Sequence, residues 1–262
     1  MRSLAFTLLM TLLFTAVEAK KTSADVLATA ENQYKMPAFY FQKALKLYDS
    51  MQLGKAGLEK EIFIKAYKGY IYLLGAGMVK NTRMLSIADF SQSSRNKRLY
   101  IVDLLKVKLV MTTYVSHGKN SGADMATSFS NLKDSYKSNL GFLVTSDTYT
   151  GSAGYSLRFQ GMEPGINDMV RDRDIIVHGS KFVNAQFAAD AGRVGNSLGC
   201  PAVPEAQCKK IINLIKGGSV YFIYHPDEFY QASSPILNAT LSNTAFISNP
   251  IEMTSDSSFA KF

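Results

Sequence analysis

Between residues 32 and 80 the apolar positions recur at helix spacing: Phe41, Ala44, Leu45, Tyr48 and Met51 form one stripe, and Phe63, Ala66, Tyr67, Tyr70 and Leu74 a second. Steps of three and four residues bring such side chains onto one face, so the segment predicts two helices packed through aromatic stripes. Gly54 and Gly57 punctuate the gap between them, and Gly75-Ala76-Gly77 ends the second. From about Met84 the texture changes to short β-rich runs separated by Gly, Ser, Asn and Asp: Leu99 to Leu105, Lys108 to Val115, Gly141 to Thr145, Tyr155 to Gln160, Asp174 to His178 and Ser219 to Tyr224. Inside this mainly β region only Pro204 to Lys216 reads as a helix, with Pro204 near its start and Gly217-Gly218 past its end. Residues 231 to 262 carry seven Ser, three Thr and three Asn with little periodicity, which predicts a surface wrap or a disordered tail.

The beginning of the chain has the pattern of an export signal. Arg2 supplies a positive start, residues 4 to 17 are uninterrupted apolar or small residues, and Val17-Glu18-Ala19 offers a cleavage point. That run falls short of the roughly 20 residues that cross a bilayer, so cleavage, with no stable membrane anchor afterwards, is the expectation. The chain therefore divides into a signal segment (1–19), a helical region (20–83), a mainly β region (84–226) and a Ser/Thr/Asn-rich tail (227–262), an α+β organisation. Export places the protein in the periplasm or cell envelope. Its net charge of +8 favours anionic surfaces there, or simply keeps it soluble. The basic residues are scattered and no aromatic-interleaved motif accompanies them, which argues against nucleic acid. The one tight basic group, Arg95-Asn96-Lys97-Arg98, reads as a solvated turn.

Candidate chemistry concentrates between Ile175 and Val203. Ile-Ile-Val-His-Gly-Ser is followed, after a polar connection, by Gly195-Asn196-Ser197-Leu198-Gly199-Cys200-Pro201-Ala202-Val203. A cysteine attacks as thiolate, so it needs a base and exposure at a turn. His178 closes an apolar run and would be held at a strand end. Gly199 lets backbone approach a substrate, and the Gly199 and Cys200 amides can face a developing oxyanion. The bland alternative is a structural histidine beside a glycine.

His178-Gly179 followed by Ser-x-Gly-Cys at 197 to 200 resembles the signature of the L,D-transpeptidase (YkuD-type) catalytic domain. The segments Ile87 to Phe90, Arg98 to Asp103, Val115 to Gly118, Phe129 to Asn131, Ser138 to Gly141 and Gly154 to Leu157 resemble the branch known as murein L,D-transpeptidase catalytic domain proteins, so the likeness spans roughly 85 to 225. It implies a mainly β catalytic domain, a mixed β-sandwich, that binds peptidoglycan stem peptides and needs no cofactor. By the same resemblance Cys200 is the nucleophile and His178 the base, with a carbonyl near Gly179 or Ser180 orienting the ring. Gly199, Ser197, Leu198, His117 and Arg193 would serve the oxyanion or position the substrate. The chain departs from better-known members in having Ala202, not Arg, two residues after the cysteine; Arg193, Arg171 or Arg173 are the candidates to supply that charge.

Other readings compete for the remaining residues. His117 lines the groove or makes a structural hydrogen bond, and His225 is a strand-end residue. His117, His178, Cys200 and Cys208 lack the short ligand spacings of a zinc site, so no metal is expected. Cys208 sits on an apolar helical face as a buried thiol, or bridges Cys200 in the oxidising compartment and blocks it. Asn167-Asp168, Arg171 and Asp172-Arg173-Asp174 form a charged loop before His178, read chiefly as paired surface charges. Three functions follow: a transpeptidase making 3-3 crosslinks, a carboxypeptidase releasing D-alanine, and a non-enzymatic wall-binding module holding a Cys200–Cys208 bridge.

Overall fold

The computed structural model describes Thr29 and residues 32 to 242; the signal segment lies outside them. Helices α1 (Ala38–Ser50) and α2 (Lys60–Gly75) form where the apolar spacing places them. Phe41, Ala44 and Tyr48 of α1 and Phe63, Ala66, Tyr67 and Tyr70 of α2 are buried, and the Tyr48 and Phe63 rings lie 6.1 Å apart. Each large apolar side chain removed from water this way contributes about 1.5–3 kcal/mol. The turn between the helices is closed by the Tyr48 hydroxyl, which donates to the Leu58 carbonyl at 2.8 Å.

Seven strands make one mixed sheet: β1 (Met84–Asp89), β2 (Leu99–Asp103), β3 (Lys108–Thr113), β4 (Gly141–Gly151), β5 (Gly154–Gly161), β6 (Ile176–Val177) and β9 (Val220–Tyr224), in the order β3-β2-β1-β9-β4-β5-β6. Only β1 and β9 run parallel. Every residue of β1 and β9 is buried, as expected of central strands covered on both faces. The Phe142 ring stacks on Phe222 with centroids 4.1 Å apart, and α2 meets it through Gly69, where a Cβ would lie 2.1 Å from the Phe142 ring. Strands β7 (Gly179–Ser180) and β8 (Val203–Pro204) form a small parallel pair beside the edge strand β6. The α+β, mainly β architecture expected from the sequence is the one observed.

Three features differ from the sequence reading. A second helix, α3 (Ala185–Ala191), lies inside the β region; at seven residues it is too short to show a period, yet the Asn184 side chain caps it by accepting from the Phe187 amide, and Gly192 ends it in the left-handed conformation. Next comes α4 (Glu205–Ile215), as expected, burying Cys208, Ile211, Ile212 and Ile215. The beginning of the tail is not disordered but lies over the surface as two short helices the sequence did not predict: α5 (Glu228–Ser233) and α6 (Pro235–Asn238) dock through Tyr230 and Ile236, two anchors too few to make a pattern. Tyr230 and Ser234 both donate to the Glu163 carboxylate, and Lys68 donates to the Leu237 carbonyl at 2.5 Å. Residues 243 to 262 lie outside the described part. Third, Arg98 is not in a solvated turn. It is fully buried, and a single core runs from Met36 to Leu241 across both positions where the texture of the sequence changes.

Candidate active site

Strand β6 is the last of the sheet and pairs on one side only, with β5. Cys200 fills its other side. The thiol donates to the Asp174 carbonyl at 3.4 Å, and the Ile176 amide faces the sulfur. An edge strand offers unpaired amides and carbonyls, and here they receive a cysteine in place of another strand. Two residues beyond Ile176 along the same extended segment stands His178. Its carbonyl accepts from the Val203 amide at 2.9 Å, which joins the segment after Cys200 to the one carrying the histidine.

The His178 ring is half-exposed, and its Nδ1 lies 3.0 Å from the Gly179 carbonyl. A carbonyl only accepts, so Nδ1 carries a proton and donates it, and Nε2 takes no part in that bond. Gly179 is packed tightly as well: a Cβ on it would come within 3.1 Å of the Cys208 Cβ and the Glu205 backbone of α4. Both cysteines are free, with Cys208 buried and its thiol directed to the Tyr155 carbonyl at 3.5 Å.

Burial pushes the Cys200 thiol up to about 11; the Ile176 amide and the Arg173 guanidinium pull it back, and Asp174 adds a push upward. The resting sulfur is therefore a thiol at neutral pH. A thiol so held can attack only if a base takes its proton at that moment.

A lattice of hydrogen bonds fixes the cysteine loop. Ser197 Oγ donates to the Cys200 carbonyl at 2.6 Å and accepts from the Gly199 amide at 3.1 Å. The Gly199 amide is thus spoken for within the loop. Ser116 exchanges hydrogen bonds with Ala202, Ser138 Oγ donates to the Gly199 carbonyl at 3.3 Å, and Ser197 bridges to Gly118. Gly199 has φ +125°, and a Cβ there would lie 2.9 Å from the Ile175 side chain and 3.0 Å from the Lys137 carbonyl, so glycine is required on both counts. Leu198 is exposed beside a cleft of about 210 Å³, whose walls include Tyr136, Asp172, Arg173 and Asp174.

His117 lies behind this loop and is fully buried. Arg98 Nη2 donates to its Nδ1 at 2.7 Å, so Nε2 carries the proton and donates to the Gly122 carbonyl at 3.0 Å. Burial, reinforced by the Arg98 charge, lowers its pKa to about 4. Both ring nitrogens are committed, which leaves His117 holding the Ser116-His117-Gly118 turn against the cysteine loop. Arg98 in turn donates to the Val115 and Gln92 carbonyls and lies 4.7 Å from the Phe90 ring. Burial pulls its pKa to about 10, and Asp89 and Asp124 oppose that at a distance. Nothing in the basic run at 95–98 distinguishes its last residue; the signal was its place just before the apolar run Leu99 to Val102.

Of the arginines weighed from the sequence, Arg171 makes a surface ion pair with Asp147 at 3.1 Å. Arg193 donates to Asn196 and to the Val194 carbonyl and lies outside the cleft lining. Arg173 belongs to neither pattern: Nη1 donates to the Ser130 carbonyl (2.6 Å) and Asn139 (2.7 Å), Nη2 to Ser135 (3.2 Å) and the Lys137 carbonyl (2.7 Å). Nor is Asn167 a surface residue. It is buried and ties Glu163 to Leu140 and Phe142. The charged loop before His178 is thus largely a structural strut, a role that the local run of charges concealed.

No curated protein matches the chain. Among solved structures it is similar to an L,D-transpeptidase from Mycobacterium smegmatis, at 10% identity and TM-score 0.33, with 55% of this chain and 59% of that one covered. It is similar also to an L,D-transpeptidase (Yku) from Stackebrandtia nassauensis, at 13% identity and TM-score 0.32, with 69% and 75% covered. The model of the L,D-transpeptidase catalytic domain matches residues 54–224, a span that takes in α2, the whole sheet, His178 and Cys200. With well over half of its length so matched, the chain belongs to the L,D-transpeptidase catalytic domain family.

Proposed function

We propose that the protein is exported and forms 3-3 crosslinks between peptidoglycan stem peptides through an acyl-enzyme on Cys200, with His178 as base. One observation carries this reading. The free side of β6 holds the Cys200 sulfur beside Ile176, two residues from a histidine whose Nδ1 is held by the Gly179 carbonyl. General-base activation starts from a protonated thiol and an imidazole oriented through one nitrogen, the other taking the proton.

In the reaction, Nε2 takes the thiol proton as sulfur attacks the carbonyl between the third stem residue and the terminal D-alanine. The Cys200 amide faces the oxyanion, because the Gly199 amide is already bonded to Ser197. Collapse expels the D-alanine amine, which takes the proton back from His178. The thioester then passes to an amine of a second stem, or to water, in which case the enzyme acts as a carboxypeptidase. The cleft beside Leu198, lined by charges of both signs, suits a peptide carrying amines and carboxylates.

The test is incubation of the protein and its Cys200→Ala variant with purified tetrapeptide muropeptides, with products read by mass. Crosslinked dimer that vanishes in the variant supports transpeptidation. Free D-alanine without dimer moves the assignment to carboxypeptidase, and the absence of any Cys200-dependent product contradicts the proposal.

A further inference from the structure

Arg173 is a cation that the fold has bound without neutralising. Its guanidinium is half-buried, and all four acceptors around it are neutral: two backbone carbonyls, the Ser135 hydroxyl and the Asn139 amide oxygen. No carboxylate pairs with it among the described residues, whereas Arg83, Arg95, Arg158 and Arg171 each have one. The cage is built from residues 130 to 139, and it presents Nη2 toward the cysteine loop: a Cβ on Gly199 would lie 3.4 Å from that nitrogen and 3.0 Å from the Lys137 carbonyl to which it donates. The residue that follows, Asp174, supplies the carbonyl that the Cys200 thiol reaches.

We infer that Arg173 is a positioning residue that stabilises the negative sulfur formed when Cys200 loses its proton, an inference that rests on Cys200 being the nucleophile. The physical case is one of compensation. Taking the sulfur out of water penalises the thiolate, and a fixed charge in a partly desolvated site offsets that penalty more than the same charge in water would. A neutral cage suits this task, because a carboxylate partner would cancel the field at the sulfur while leaving the arginine equally well held. The electrostatic coupling is mutual: Cys200 favours the charged arginine, and Arg173 favours the thiolate. Asp174 opposes the thiolate. Lys137, whose carbonyl accepts from Arg173, commits its ammonium to Ser128 at 2.7 Å, and Glu205 of α4 acts on Cys208; His178 is the proposed base.

Two substitutions separate charge from scaffolding. Arg173→Met removes the cation, with Arg173→Lys as the conservative rescue. Asn139→Asp is nearly isosteric and sets a carboxylate where the amide oxygen now accepts from Nη1, neutralising the charge while keeping all four acceptors of Arg173, at the cost of the Asn139 amide's bonds to Asn131 and the Ile166 carbonyl. The readout is the rate of iodoacetamide alkylation at Cys200 from pH 7 to 11, followed by mass on the Cys200 peptide, with folding checked by circular dichroism. Arg173→Met and Asn139→Asp are expected to displace the profile upward by about one pH unit, so that the rate at any pH below the inflection falls roughly tenfold. Arg173→Lys recovers most of it. If Arg173→Met fails to fold, Asn139→Asp decides alone. A wild-type profile in Asn139→Asp, or a lysine variant as slow as the methionine one, overturns the inference. Alkylation needs no turnover, so a protein that shows the displacement but makes no product from muropeptides keeps this inference and loses the proposed function.

Discussion

The chain contains two His-Gly pairs after β-rich runs, and the structure gives them opposite surroundings. At His117 a buried arginine and a backbone carbonyl occupy both ring nitrogens, and burial holds the ring neutral far below ordinary histidine behaviour, near 4. At His178 one carbonyl holds Nδ1, while the ring stays half-exposed on the segment whose Asp174 carbonyl the Cys200 thiol reaches. The arginines differ in parallel. Arg98 is sealed in the core, where it braces a turn, and Arg173 lies against the cysteine loop. What separates the strut from the proposed base is thus the saturation of its hydrogen bonds: a ring with no free nitrogen exchanges no proton, whatever its neighbours in sequence.

Substitution of each histidine by glutamine is the strongest way to break the comparison. His178→Gln is expected to lower turnover by at least about 10²-fold with little change in melting temperature, the usual range for loss of a general base. His117→Gln should do the reverse, costing about 1–3 kcal/mol of stability through unpaired buried groups while the folded fraction still turns over. Loss of turnover in a fully folded His117→Gln would remove the distinction.

Arg98→Leu comes next. It strands the Val115 and Gln92 carbonyls and the His117 Nδ1 together, and each buried acceptor left without a donor costs about 1–3 kcal/mol, measurable in urea unfolding. A cost below about 1 kcal/mol would mean that the network is far more compliant than its burial implies.

The smallest effect is a matching of opposite slopes. His117 binds fewer protons folded than unfolded between its folded value near 4 and its ordinary 6.5, so its contribution is present above 6.5 and is lost as pH falls toward 4. Glu163 runs the other way. Burial raises it from 4.5 to about 7 against the donors from Ser234, Phe142 and Tyr230, so its contribution is present below 4.5 and is lost as pH rises toward 7. Each slope is about 1.4 kcal/mol per pH unit, and between 4.5 and 6.5 they cancel. Stability from these two groups should be nearly flat there in the parent. Glu163→Gln should make it rise with pH, and His117→Gln should make it fall. Identical pH profiles in all three proteins would show that neither group titrates as described.

Much of this was legible in advance, and unevenly. Helices α1 and α2 were plain because their stripes repeat over several turns, and β2, β4 and β9 because apolar runs ended at turn residues. Strand β1 was obscured by Ser86 and Asp89 within a wholly buried run. Cys200 and His178 were visible as residue types at a resembling spacing, but what joins them, the open side of a two-residue strand, is a tertiary fact with no local signature. Arg98 was hidden for the same reason, and Arg173 stood among three candidate arginines with nothing local to single it out. A charge in a polar stretch looks solvated until the carbonyls that surround it, drawn from distant turns, are placed.

The most direct test of the central claim is to mix the protein with a tetrapeptide stem for a short time, quench in acid and map the adduct by peptide mass. The expected result is a thioester on Cys200 carrying the stem without its terminal D-alanine, and none in Cys200→Ala. An adduct on Cys208, or product formation with both cysteines unmodified, would contradict it.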